Sequence, residues 1–214
     1  MGAKTWMLVY SNGNVSELLR GKPALDRPAS LALAKKLFPE HRLNPQDDVD
    51  LSFTCPRGKD LFIACYPGVT IIAAKEFAID YPSHLPTKFL DPRLGNTLYF
   101  HAMHSVVDWF AYAIWKKGKL LRSLSVSPDS GVLEDLGPRL SFEEPYWNGQ
   151  HPALDPEEDA SAYPLVFHPL ELGEAALLEF FGYQLEGELD PTQIEPSQIP
   201  LMCFKRSKSW WKFW

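Results

Sequence analysis

The sequence has little cysteine, and its cysteines do not form a metal or disulfide pattern. Only Cys55, Cys65 and Cys203 occur in 214 residues, and no two of them have C-x-x-C spacing. An odd number of cysteines without such spacing argues against a disulfide framework and against a zinc knuckle. Free thiols in a reducing compartment are the expectation that follows.

Long apolar runs and phosphate-binding motifs are also missing. No apolar run approaches the roughly 20 residues that span a bilayer, and the apolar start at 1–10 is too short for a secretion signal. Neither G-x-x-x-x-G-K-[ST] nor G-x-G-x-x-G occurs, which argues against ATP-driven and NAD-dependent chemistry. We therefore expect a cytoplasmic protein and disfavour the membrane as a partner.

Positive charge is in the minority. The chain has 21 Lys and Arg residues against 27 Asp and Glu residues, for a net charge of −6. An acidic surface repels phosphate backbones, so nucleic acid is disfavoured as a partner. Hydrophobic residues make up 45% of the chain and aromatic residues 13%, which is enough for a substantial core.

Apolar runs come in neighbouring pairs separated by turn residues. Pro67-Gly68 and Lys117-Gly118 each separate two β-prone runs, as in tight antiparallel hairpins. Strands are predicted at 3–10, 61–66, 69–73, 97–101, 106–115, 120–127, 132–136 and 201–205, and helices at 15–20, 28–38 and 171–181. Residues 44–50 are expected to form a loop. This order predicts an α+β fold, a mainly antiparallel sheet built from hairpins with helices packed on one face.

One globular domain is expected over residues 1–204, followed by a basic and aromatic tail at 205–214. Several stretches of this domain resemble an uncharacterised family of bacterial proteins, mainly actinobacterial, that has no assigned function. They are 1–5 (MGAKT), 101–109 (HAMHSVVDW), 122–125 (RSLS), Glu143, 145–147 (PYW) and 167–174 (FHPLELGE). The resemblance implies a bacterial cytoplasmic protein and implies no activity. The tail does not fit the family's pattern.

His101, His104 and Asp108 form the first candidate site. Imidazole and carboxylate groups are good ligands for a divalent metal, and three such ligands leave an open catalytic position. His168, from a distant segment, is a candidate fourth ligand. The spacing does not match a known metal motif, so the alternative is that these histidines make hydrogen bonds to the backbone.

Arg122 and Glu143 form the second candidate site. An arginine on a strand, followed by carboxylates, is suited to binding an anionic ligand. The same arrangement is equally suited to a structural ion pair that fixes the hairpin, because arginine makes bidentate contacts with carboxylates in both roles. In the same strand, Ser123, Ser125 and Ser127 alternate with apolar residues, which predicts that they lie on a solvent face.

The tail has five basic residues interleaved with four aromatic ones. This composition occurs in membrane-interface segments and in segments that stack on single-stranded nucleic acid. Its short length and lack of amphipathic period favour a third reading, in which Trp210, Trp211 and Trp214 dock on the same domain or on a second copy. Self-association through the tail is therefore expected.

Two functions of different classes remain open. The first is a non-catalytic module that binds a protein partner or a small ligand. The second is a metal-dependent hydrolase, or a related small-molecule enzyme, that uses the cluster of His101, His104 and Asp108. No cofactor is expected unless that cluster holds a divalent metal.

Overall fold

The computed structural model describes residues 2–154, 163–187 and 190–208. Within these ranges ten strands follow one another as β1 (Lys4–Ser11), β2 (His41–Pro45), β3 (Val49–Asp50), β4 (Asp60–Tyr66), β5 (Val69–Ala74), β6 (Thr97–His104), β7 (Trp109–Lys116), β8 (Lys119–Ser127), β9 (Gly131–Leu136) and β10 (Pro200–Lys208). The α-helices are α1 (Val15–Arg20), α2 (Arg27–Leu37), α3 (Glu144–Trp147) and α4 (Pro169–Phe181). Short 3-10 helices occur at Lys75–Phe77, Pro82–His84, Thr87–Phe89, Ser141–Glu143 and Pro196–Gln198.

The strands form one sheet in the order β2-β10-β4-β5-β1-β6-β7-β8-β9, and β3 pairs with β10. All neighbours in this order are antiparallel. Both central residues of the β7–β8 turn have positive φ, 50° at Lys117 and 76° at Gly118, as a type I′ hairpin requires. The predicted α+β class, with a mainly antiparallel sheet, is confirmed.

The C-terminal strand is the second strand from one edge of the sheet, between β2 and β4. It continues past the predicted start of the tail, because Lys205 pairs with Asn44 and Lys208 pairs with His41. Residues 205–208 are therefore part of the sheet, and the domain boundary predicted after residue 204 is too early. The same pairing shows that the loop predicted at 44–50 is partly wrong, because residues 44 and 45 belong to β2. Strand β2 forms because β10, which is distant in sequence, supplies its hydrogen bonds.

Local signals explain where the longer helices begin and end. Asp26 caps α2, with its Oδ1 accepting from Ala29 N at 2.9 Å, and Pro28 lies in the first turn. His168 caps α4 through Nδ1, and Gly182 ends that helix in the left-handed region at φ 79°.

Both faces of the sheet are buried by helices. Side chains alternate along β1, so Met7 and Val9 join one core while Leu8 and Tyr10 join the other. Helices α1 and α4 cover the first face and α2 covers the second. The sequence predicted that the helices pack on one face of the sheet. This is true of α1 and α4 but not of α2, because the strands present apolar side chains on both faces.

Candidate functional site

His101 is a structural residue at the contact of β1, β6 and α4. Its ring is fully buried, with Nδ1 2.7 Å from Thr5 Oγ1 and Nε2 3.0 Å from the Gly173 carbonyl oxygen. Burial lowers its pKa to about 4, so the ring is neutral at physiological pH. Both nitrogens are occupied by internal hydrogen bonds, which leaves neither available to a metal.

His104 lies on the opposite face of the sheet from His101. Residues three apart on a strand point to opposite sides, and His104 stacks on Trp6 with ring centroids 6.1 Å apart. Burial, assisted by the Lys4 ammonium, lowers the pKa of His104. The three-ligand set predicted from the sequence therefore does not assemble around His101 and His104. Strand β6 continues to His104, beyond the end predicted at residue 101, and the alternation of side chains places the two rings on opposite faces.

Asp108 and His168 do approach each other, with Oδ2 and Nε2 3.8 Å apart. Asp108 occupies the β6–β7 turn at φ 46°. His168 Nδ1 accepts from Leu170 N at 3.3 Å, so Nε2 is the ring nitrogen nearer to the carboxylate. Within the part of the chain that the structure describes, no group of three or more His, Cys, Asp or Glu side chains is arranged to hold a metal ion.

These contacts give the first prediction. Replacing His101 by leucine keeps most of the volume and leaves the Thr5 hydroxyl and the Gly173 carbonyl without this partner. We expect the free energy of unfolding to fall by about 2 kcal/mol, measured by chemical denaturation, with no effect of added zinc on either protein. The His104→Leu variant serves as the control. Stoichiometric metal in the purified protein that is lost in His101→Leu would contradict this account.

Arg122 and Glu143 form a buried ion pair. Arg122 Nε and Nη2 donate to the two Glu143 carboxylate oxygens at 2.9 and 2.7 Å, and both side chains have 0% exposure. Arg122 Nη1 also donates to Asp135 and to the carbonyl oxygens of Leu136 and Gly137. The arginine therefore ties the β8–β9 hairpin to the 3-10 turn that contains Glu143.

Glu143 is equally well partnered. Its carboxylate accepts from Tyr112 Oη, from Leu140 N at 2.8 Å and from Trp147 Nε1 at 3.3 Å. Burial alone would raise its pKa, but Arg122 and these donors hold the pKa below its usual range. Because the pair is closed to solvent, the structure supports the structural alternative for Arg122 and Glu143 and not the ligand-binding one.

The alternating serines of β8 are not on a solvent face. Ser123 and Ser125 are fully buried and Ser127 is nearly so, which corrects the sequence interpretation. Ser123 Oγ donates to the Glu134 carboxylate, which also accepts from Ser83 N at 3.1 Å, and Trp109 Nε1 donates to Ser125 Oγ at 3.2 Å. The face is covered by the 3-10 turn that contains Ser83 and by the Trp109 ring.

A cleft of about 830 Å³ opens at the end of the sheet where β1 begins and where β5 and β6 end. The segment 52–58 runs alongside the start of β1, where Thr54 forms a parallel bridge with Thr5 and Trp6 N donates to Thr54 O at 2.8 Å. The segment 184–186 forms another wall, fastened by Ala3 N donating to Glu186 Oε1 at 2.7 Å. Six separate parts of the chain line this one concavity: 2–6, 52–58, Lys75, His104, 184–186 and 195–196.

Basic side chains set the charge of this cleft. Lys4, Arg57 and Lys75 line it, and none of the three forms an ion pair with another described residue. Two carboxylates also line it, but Glu186 accepts from Ala3 N and Glu195 accepts from Ser197 Oγ at 2.8 Å. The cleft therefore presents a net positive charge on a protein whose net charge is −6.

Aromatic and apolar groups complete the cleft. Trp6, Phe53 and His104 line it, and the Phe53 side chain is exposed. Trp6 Nε1 is buried and has no hydrogen-bond partner among the described residues, although a buried indole N–H normally has one. Burial raises the pKa of Cys55 against the opposing effect of Lys4 and Arg57, so this thiol is protonated and not a nucleophile.

The fold and this cleft define an antiparallel α+β protein with a basic concavity at one end of its sheet. The chain belongs to the DUF6928 family of unknown function, because the family's sequence model matches residues 5–204. This confirms the resemblance to an uncharacterised family. No curated protein and no solved structure matches the chain significantly.

Two further observations concern membranes and the tail. No helix in the described ranges is long and apolar enough to cross a bilayer. Trp210, Trp211 and Trp214 lie outside the described residues and outside the family match, which ends at residue 204. Self-association through the tail stays a prediction.

Proposed function

We propose that this protein is a non-catalytic binding module that takes a small anionic ligand with an apolar or aromatic body in the cleft between Trp6, Phe53 and Lys75. One observation supports this most strongly. Three basic side chains without ion pairs line the same concavity as Trp6, whose buried indole N–H has no hydrogen-bond partner among the described residues.

The size and lining of the cleft fit this proposal. Small-molecule sites commonly have volumes of about 300–1,000 Å³, with mostly apolar walls and a few polar groups that fix orientation. The cleft of about 830 Å³ falls in this range, with Trp6 and Phe53 as apolar walls. The ammonium and guanidinium groups of Lys4, Arg57 and Lys75 would pair with a carboxylate or phosphate of the ligand.

The catalytic alternative has narrower support. A metal-dependent hydrolase would have to be built around Asp108 and His168, the one pair of predicted ligands that approach each other. The neutral His104 and the protonated Cys55 supply neither a cationic acid nor a thiolate in the cleft. A bacterial and cytoplasmic setting remains part of the proposal, supported by the resemblance and by the three free cysteines.

The proposal predicts binding of simple aromatic anions. We expect N-acetylphenylalanine, indole-3-propionate and phenyl phosphate to bind, measured by isothermal titration calorimetry at low ionic strength. In the double variant Arg57→Gln/Lys75→Gln the affinity should fall about tenfold or more, since a hydrogen bond to a charged group contributes about 1.5–3 kcal/mol.

A matched variant controls for net charge in this experiment. Lys116→Gln/Lys119→Gln removes two exposed lysines at the opposite end of the sheet and should leave the affinity close to that of the wild type. An equal loss of affinity in both double variants would mean that the effect comes from the overall charge of the protein and not from the cleft. Absence of binding for all three anions would refute the proposed function.

A further inference from the structure

A second concavity adjoins the cleft and shares two of its walls. It has a volume of about 440 Å³ and is also lined by Trp6 and His104. Trp109 and Leu133 give it apolar walls, and Ser127 lines it as well. The stacked pair of Trp6 and His104 is therefore a wall common to two adjoining concavities.

The two concavities have opposite charge. Asp80 and Asp129 line the second one, both are exposed, and neither forms an ion pair with another described residue. The only other titratable side chain in its lining is His104, which burial and the nearby Lys4 keep neutral. Among the residues that the structure describes, no lysine or arginine lines this second concavity.

We propose that the ligand is bipolar, with its anionic group in the basic cleft and a cationic group in the acidic concavity. This inference rests on the proposed function and specifies the ligand's second charged group. An ammonium or guanidinium group would pair with Asp80 and Asp129, beside the Trp6 and Trp109 side chains that line the same concavity. Short peptides with free termini and other amino-acid-like compounds have this chemistry.

The basic cleft also contains two carboxylates, but it still differs in charge from the second concavity. Glu186 is engaged by Ala3 N and Glu195 by Ser197 Oγ, so each already accepts an internal hydrogen bond. Asp80 and Asp129 accept no side-chain hydrogen bond of this kind among the described residues. The acidic pair is therefore the better partner for an incoming cation.

Three matched peptides test the inference. Gly-Gly-Phe with free termini is bipolar, N-acetyl-Gly-Gly-Phe retains only the anionic end, and Gly-Gly-Phe-amide retains only the cationic end. We expect isothermal titration calorimetry at pH 7 to show the bipolar peptide binding about tenfold or more tightly than either single-charge peptide, as a further charge-assisted contact provides.

Two double variants locate the effect. Asp80→Asn/Asp129→Asn should bring the affinity for Gly-Gly-Phe down to that for N-acetyl-Gly-Gly-Phe, without changing the affinity for the acetylated peptide. Asp47→Asn/Glu179→Gln removes two exposed carboxylates elsewhere and should change neither affinity.

The outcomes separate this inference from the proposed function. If the acetylated peptide binds and the free amine adds nothing, the bipolar ligand is refuted and the anion site stands. If none of the three peptides binds, both proposals are refuted. If the amide binds as well as the bipolar peptide, the basic cleft makes no contribution and the proposed function is the one that fails.

Discussion

Replacing Arg122 by methionine is expected to lower the free energy of unfolding by about 3–5 kcal/mol, because it leaves the Glu143 carboxylate buried without its counter-ion. The two side chains have 0% exposure and make a bidentate contact. The variant also removes the donor that holds the carbonyl oxygens of Leu136 and Gly137. Chemical denaturation at pH 7 measures the effect.

The exposed arginine Arg93, paired with Asp91 on the surface, provides the matched control. Arg93→Met should leave the denaturation midpoint close to that of the wild type, since exposed ion pairs add little. The double variant Arg122→Met/Glu143→Met should lose less than the sum of the two single variants, because no unpaired charge remains. If the free energy of unfolding falls no more in Arg122→Met than in Arg93→Met, the structural role of Arg122 is wrong. Ligand binding would then be the better explanation for this arginine.

The second large effect concerns Glu174 on α4. This side chain is 8% exposed, its Oε2 accepts from Leu185 N at 2.7 Å, and its Oε1 has no partner among the described residues. Burial, with a contribution from the nearby Glu186 charge, raises its pKa to about 7. The folded protein therefore binds a proton at a pH where the unfolded chain, with a glutamate pKa of about 4.3, has released it.

The sign of the pH dependence follows from this difference. Between about pH 4.3 and pH 7 the folded state binds more protons than the unfolded state, so stability from this group falls as the pH rises. The Glu174→Gln variant resembles the protonated acid and should be more stable than the wild type by about 3 kcal/mol at pH 8. At pH 4 the two proteins should unfold at nearly the same denaturant concentration.

Glu179→Gln is the control, since it removes an exposed carboxylate from the same helix. It should not reproduce the gain at pH 8. If Glu174→Gln is no more stable than the wild type at pH 8, the carboxylate is solvated in the folded protein, and the packing of the 184–186 wall against α4 is looser than described.

The sequence predicted most of the sheet because its signals are local. The pairs Pro67-Gly68 and Lys117-Gly118 lie at turns where Gly68, Lys117 and Gly118 have positive φ, which glycine favours and hairpins require. The helix at 171–181 was found from its apolar spacing and from Gly182. Strand β2 was missed because its five residues are mostly polar and its partner β10 lies about 160 positions later in the chain.

The candidate sites were predicted less well, for reasons of geometry. The sequence predicts that a strand ends at His101 and that His104 lies in the following turn, where both rings could face one ligand, but β6 extends to His104. Alternation along β6 separates them. The cleft is not predictable from the sequence because Lys4, Arg57 and Lys75 belong to three segments with no shared motif. Only the folded sheet, with the segment 52–58 bridged to the start of β1, brings them together.

Binding of a small anion in the cleft beside Trp6 is expected to change the NMR signal of the Trp6 indole N–H. In ¹⁵N-labelled protein this resonance is assigned as the one lost in Trp6→Phe, and N-acetylphenylalanine is then titrated in. We expect the Trp6 resonance to shift in a saturable way while that of Trp147, which donates to Glu143 and does not line the cleft, stays in place. An unchanged Trp6 resonance at a concentration where calorimetry reports binding would place the ligand elsewhere and contradict the account.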